Sequence, residues 1–96
     1  MAETISEATL NEWRGKHHSI YEFQVGDKKA YFRTPTLKEM DAASEQKTNM
    51  KYNQTLAKTC FLGGDKEVLD DERYFMSLIP KLDKLVKEFD VEVKKL

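Results

Sequence analysis

Few side chains in this chain are able to do chemistry, and they are widely spaced. Cys60 is the only cysteine. It shares an apolar helical face with Asn53, Leu56, Ala57 and Phe61, and no local group marks it as an activated nucleophile, so it reads as a core thiol. His17 and His18 are adjacent; neighbours on an extended chain point to opposite sides, and no Cys or acid stands at a ligand spacing to help them hold a metal. Asp70, Asp71 and Glu72 suit a helix cap and first turn, and lack the interleaved carbonyls and glycine of a divalent-ion loop. Gly63-Gly64-Asp65 ends a helical pattern and has no Gly-Lys-Ser/Thr, so it is not a phosphate loop. Lys28, Lys29 and Arg33 with Tyr31 form a small basic, aromatic patch of a kind that touches phosphate backbones. It reads instead as solvated sheet surface whose charge acids elsewhere balance. These residues predict no catalytic group, no cofactor and no metal.

The elements that carry them follow from periodicity. The organising stretch is residues 70–96, where Phe75, Leu78, Ile79, Leu82, Leu85, Val86, Phe89, Val93 and Leu96 recur at steps of three and four. This predicts a long amphipathic C-terminal helix, capped by Asp70, with a hydrophobic staple between Leu69 and Tyr74. Pro80 opposes it at about 3 kcal/mol, against on the order of 10–20 kcal/mol gross from burying the side chains between Phe75 and Phe89. Packing is therefore expected to win, with a kink between Met76 and Pro80. The other arrangement is a break and a second helix with Pro80 in its first turn.

Upstream, residues 1–3 are expected to be mobile. A short helix to about Lys16 carries Leu10 and Trp13, with Thr4 or Ser6 as its cap and Gly15 as the residue expected to end it. Residues 19–25 and 28–34 alternate as strands around a Gly26-Asp27 turn. Tyr21, Phe23, Ala30 and Phe32 share one face, and Glu22, Gln24, Lys29, Tyr31 and Arg33 the other. A two-residue and a four-residue loop both keep these faces. The hairpin's outer edges are left open to a neighbouring subunit or partner strand. Thr36 with Glu39 makes a capping box for a helix to about Lys47. Asn49 caps another over residues 50–62, stopped by Gly63-Gly64. The expected fold class is α+β: a short N-terminal helix, a β-hairpin, then three helices.

Length and composition bound the function. A chain of 96 residues makes one small domain, 1–96, with a modest core. A net charge of −1 gives no overall attraction to nucleic acid or acidic lipid. One cysteine forms no internal disulfide, which suits a reducing cytoplasm, and there is no signal-like or membrane-spanning apolar run.

The order of elements resembles the small tail assembly chaperones of long-tailed bacteriophages and prophages. The resemblance covers roughly residues 10–96. It rests on a hairpin ending in Tyr31-Phe32-Arg33-Thr34-Pro35-Thr36, a mid-chain helix closing with Cys60-Phe61-Leu62-Gly63-Gly64-Asp65, and an amphipathic C-terminal stretch ending Lys94-Lys95-Leu96. It implies a non-enzymatic chaperone that coats a tape-measure-like long helical protein in the bacterial host cytoplasm and self-associates into a homo-oligomer, with no membrane or nucleic-acid partner. Phe89, Val93 and Leu96, with Tyr31 and Arg33 on the hairpin, are the expected partner-binding residues. Trimming after Glu88 tests the first three. Two alternatives stand beside this: a structural virion component of the neck or tail-completion type, and a small nucleic-acid-binding regulator using the basic patch.

Overall fold

The computed structural model describes residues 5–17 and 19–96. The expected mobility of residues 1–3, the Thr4 cap and the place of His18 lie outside these. The chain folds as α+β in the expected order, helix, hairpin, helices, around a three-stranded antiparallel sheet.

The first helix, α1 (Glu7–Lys16), is capped by Ser6, whose hydroxyl accepts from the Thr9 N–H. The hairpin follows as β1 (Ile20–Val25) and β2 (Lys28–Arg33). Val25 faces Lys28, Phe23 faces Ala30 and Tyr21 faces Phe32, so the two-residue loop is the one used. Only its first residue, Gly26, has positive φ (63°), the pattern of a type II′ turn, which needs glycine there.

Thr36 caps α2 (Leu37–Ser44) through the full capping box with Glu39. This helix stops three residues before Lys47. The cap of α3 (Asn49–Cys60) is Thr48 rather than Asn49, its hydroxyl accepting from the Lys51 N–H. The residues read as the end of that helix instead form a third strand, β3 (Phe61–Gly64), paired antiparallel with β2 in the order β1-β2-β3. The Gly pair thus does more than stop a helix. Gly64, at φ 104°, lies so close to β2 that a Cβ would stand 2.5 Å from the Lys29 carbonyl oxygen. One hairpin edge expected to be open is therefore closed by the chain itself; among the described residues no strand pairs with the outer edge of β1.

The long C-terminal helix is corrected to three short pieces and a 3₁₀ turn. After the single turn α4 (Glu67–Asp70), Asp71 takes an extended conformation and caps α5 (Glu72–Leu78) by accepting from the Arg73 N–H. The cap is thus one residue later than expected. Residues Ile79–Lys81 form the 3₁₀ turn with Pro80 in its first positions, where its missing N–H leaves no bond unmade, and α6 (Asp83–Val86) follows. The break, not the kink, resolves the proline. Part of the stripe expected to be buried survives it: Phe75, Leu78, Leu82 and Leu85 are each at most 6% exposed, whereas Val86 is 38% and Phe89 82% exposed. Beyond Val86 residues 87–96 have no regular structure and are exposed.

The sheet is covered on both faces. Ala30 and Phe32 join Val25, Leu56, Cys60, Val68, Phe75, Leu78, Leu82 and Leu85 in the core beneath one face. On the other face Trp13 lies over Tyr31, ring centroids 5.9 Å apart, and against the glycine backbone at Gly63. No residue of α1 is buried, so this contact is what docks a helix too short to persist alone. Among the described residues no helix is long and apolar enough to cross a membrane.

Candidate binding surfaces

The hairpin patch does not stand free as a basic, aromatic surface. Tyr31 is 6% exposed beneath Trp13. Arg33 reaches Glu39 through two parallel bonds of 2.7 and 2.6 Å, and donates to the Thr59 carbonyl at 3.0 Å. Lys28 faces Glu67 and Lys29 faces Glu22. Tyr31 and Arg33, expected at a partner surface, have partners within the chain: the fold uses one as the seat of α1 and the other to tie the end of β2 to α2 and α3. The Arg33 guanidinium holds the Glu39 carboxyl down at about 2.

Several other chemical candidates have structural roles. Cys60 is wholly buried and burial pushes its thiol up to about 11. Asp71 caps α5, and its hydrogen bond from Arg73 holds its carboxyl below the usual range. His17 is lowered by burial and by the charge of Arg33. Among the described residues no group of three His, Cys, Asp or Glu side chains is arranged to hold a metal ion.

What the surface does offer is apolar. Of the expected partner-binding residues, Phe89 is 82%, Val93 91% and Leu96 fully exposed, and Val91 stands out with them. The base of this segment is fastened by Glu88, whose carboxylate accepts from the hydroxyls of Ser19 and Tyr21. Val91 was passed over by a helical reading of the stretch. The signal that finds it is the two-residue alternation of Phe89, Val91 and Val93 with Asp90, Glu92 and Lys94.

The described residues also form grooves elsewhere on the surface. One, of about 490 Å³, has the consecutive β1 residues Tyr21 to Val25 and the turn residue Gly26 as one wall and Ser77, Leu78, Lys81 and Lys84 as the other. Residues of both strand faces line it, as where a groove follows a strand's backbone edge. The second, of about 470 Å³, lies between α3 and the α4–α5 pair. Met50, Met76, Leu69 and Phe75 line it, with Asp70 and Glu72 at its acidic side. Met50 and Met76 are 45% and 58% exposed. Sequence periodicity placed neither methionine at a surface site, because nothing local distinguishes a groove methionine from a core one.

No protein-family model, curated protein or solved structure matches this chain.

Proposed function

We propose that this protein is a non-enzymatic tail assembly chaperone of the bacteriophage type, working in the host cytoplasm on a tape-measure-like long helical client. The resemblance of its elements to that family supplies the identity of the client. The observation that carries a client-binding role is the methionine-lined groove between α3 and the α4–α5 pair. Methionine side chains are flexible and polarizable and repack against varied apolar faces, as a chaperone following a long helix requires. A groove of this kind takes the apolar face of an amphipathic helix. Asp70 and Glu72 favour a client segment with flanking Lys or Arg.

The test is co-expression with a long helical protein encoded nearby, followed by size-exclusion chromatography with light scattering. The expected result is a soluble complex of several copies per client, with the client insoluble alone. Met50→Glu with Met76→Glu abolishes the complex and leaves the thermal melt of the free protein unchanged, because both side chains are already partly in water. A client that stays soluble without this protein and does not co-elute with it refutes the reading.

A further inference from the structure

The outer edge of β1 and the exposed residues Phe89, Val91 and Val93 belong to one chain, which joins them only through Glu88 at the beginning of β1. We infer that residues 89–93 of a second copy occupy the groove along β1 as an added strand, so that two copies exchange these segments and continue each other's sheets. The inference does not rest on the client reading.

Four observations converge. First, β1 is an edge strand, with β2 on its inner side and, among the described residues, no strand on its outer side. An edge of this sort presents a row of N–H and C=O groups to any extended chain. Second, segment 89–93 has a strand's pattern. Phe89, Val91 and Val93 alternate with Asp90 and Glu92, and valine is stiff at χ1 and favours extended backbone. Third, groove and segment match in character. Tyr21, Phe23, Val25 and Leu78 supply apolar lining; Lys81 and Lys84 outnumber Glu22 there. Residues 89–93 carry two acids and no cation.

The fourth observation selects a second copy over the chain's own segment. Glu88 is fastened to Ser19 and Tyr21, at the beginning of β1. A segment continuing from there along its own β1 runs parallel to it. Every pairing in this sheet is antiparallel, and antiparallel addition requires a chain entering at the Val25 end. A copy related by a two-fold axis supplies that, and the exchange is then reciprocal and closed. In the structure the segment leaves the body instead, with Phe89 and Val91 82% and 83% exposed and the groove of its own chain unfilled.

The experiment compares the full chain with a chain ending at Glu88, which keeps the anchor, and with Val91→Pro, which removes a strand N–H from a segment whose side chains are exposed. Each is followed by sedimentation across the micromolar range, and by amide exchange of β1. The expected result is a full-chain dimer whose outer β1 amides are protected. The shortened chain is monomeric, with those amides exposed and its thermal melt unchanged. Val91→Pro weakens dimerisation roughly tenfold or more, and Lys81→Glu with Lys84→Glu weakens it in the same direction. A synthetic peptide of residues 88–96 added to the shortened chain restores the β1 protection. The inference is overturned by a full chain that stays monomeric, whether its β1 amides are exposed or are protected by its own segment. A dimer that survives removal of the segment overturns it equally. Loss of client binding in the methionine variants, with the dimer intact, leaves it standing.

Discussion

Replacing Glu39 by Gln isolates the contact that ties three elements together. The Glu39 carboxylate accepts both Arg33 bonds and the Thr36 backbone N–H at 2.9 Å, while Arg33 reaches on to the Thr59 carbonyl at the end of α3. Glutamine has the same size and keeps the capacity to complete the capping box, so the substitution removes mainly the charge facing Arg33. Its magnitude follows from the carboxyl's displacement from 4.5 to about 2. At 1.36 kcal/mol per unit this sets a ceiling of about 3 kcal/mol. The side chains are 16% and 27% exposed, so solvent screening brings the expected loss to about 2 kcal/mol. For a chain of this size that lowers the thermal midpoint by roughly 10 °C.

The sign of the pH dependence is fixed by the depressed pKa. The stabilisation is fully present above the ordinary carboxyl range and is lost as pH falls towards 2. Urea unfolding of both proteins, followed by circular dichroism, should show the full difference at pH 7. Less than half of it should remain at pH 3 and little at pH 2. Other carboxylates titrate in both proteins and cancel. A difference that is absent at pH 7, or that stays constant down to pH 2, refutes the assignment of this pair as the tie between β2, α2 and α3.

Gly64→Ala sets a Cβ 2.5 Å from the Lys29 carbonyl oxygen at φ 104°; it should cost at least about 2 kcal/mol and expose β2–β3 amides to exchange, and an unchanged melt contradicts the third strand. Gly15→Ala is the opposite case, inside α1 with nothing within 4 Å of the new Cβ: it should stabilise by about 0.5–1 kcal/mol, read as more helical signal and a higher midpoint. Cys60, buried with its thiol pushed up to about 11, should react with a thiol reagent at pH 8 only as fast as the protein opens. Equal rates in native buffer and in denaturant place it outside the core.

Where a local rule and the tertiary requirement agreed, the fold was legible in the residues. Thr36 and Glu39 stand three apart after a proline, and the capping box is there. Val25 and Lys28 flank a Gly-Asp pair, and the aromatic face of the hairpin lies on the core. The failures have specific causes. Phe61 and Leu62 fit the period of α3, and a strand of four residues leaves too few positions for its own period to register; what makes it a strand is the Gly63-Gly64 backbone, which lets the chain lie against β2. Tyr31 and Arg33 alternate to the face away from the main core, so they read as solvated. Only Trp13, a distant residue on a weak helix, and Glu39 in the next element reveal that this face too is occupied.

Residues 70–96 satisfy two periods at once, and that is why they misled. Phe89, Val93 and Leu96 continue the three-four steps of the buried stripe, while Phe89, Val91 and Val93 keep the two-residue step of a strand. A helical stripe persists only where there is something to bury it on. Four core side chains from Phe75 to Leu85 contribute on the order of 6–12 kcal/mol gross, enough to hold the chain against the core through the interruption at Pro80. The core ends there: Leu85 is wholly buried and Val86 is already 38% exposed. Past that point a helix would order its backbone at about 1–2 kcal/mol per residue with no burial to offset it, and the two β-branched valines tilt the balance further towards extended chain. Nothing local then decides the structure of residues 89–93; whatever covers their apolar side chains does. A helical groove would call out the three-four face, which omits Val91. A strand edge would call out the two-step face, which needs it, and among the described residues β1 offers such an edge, with an apolar and cationic wall beside it.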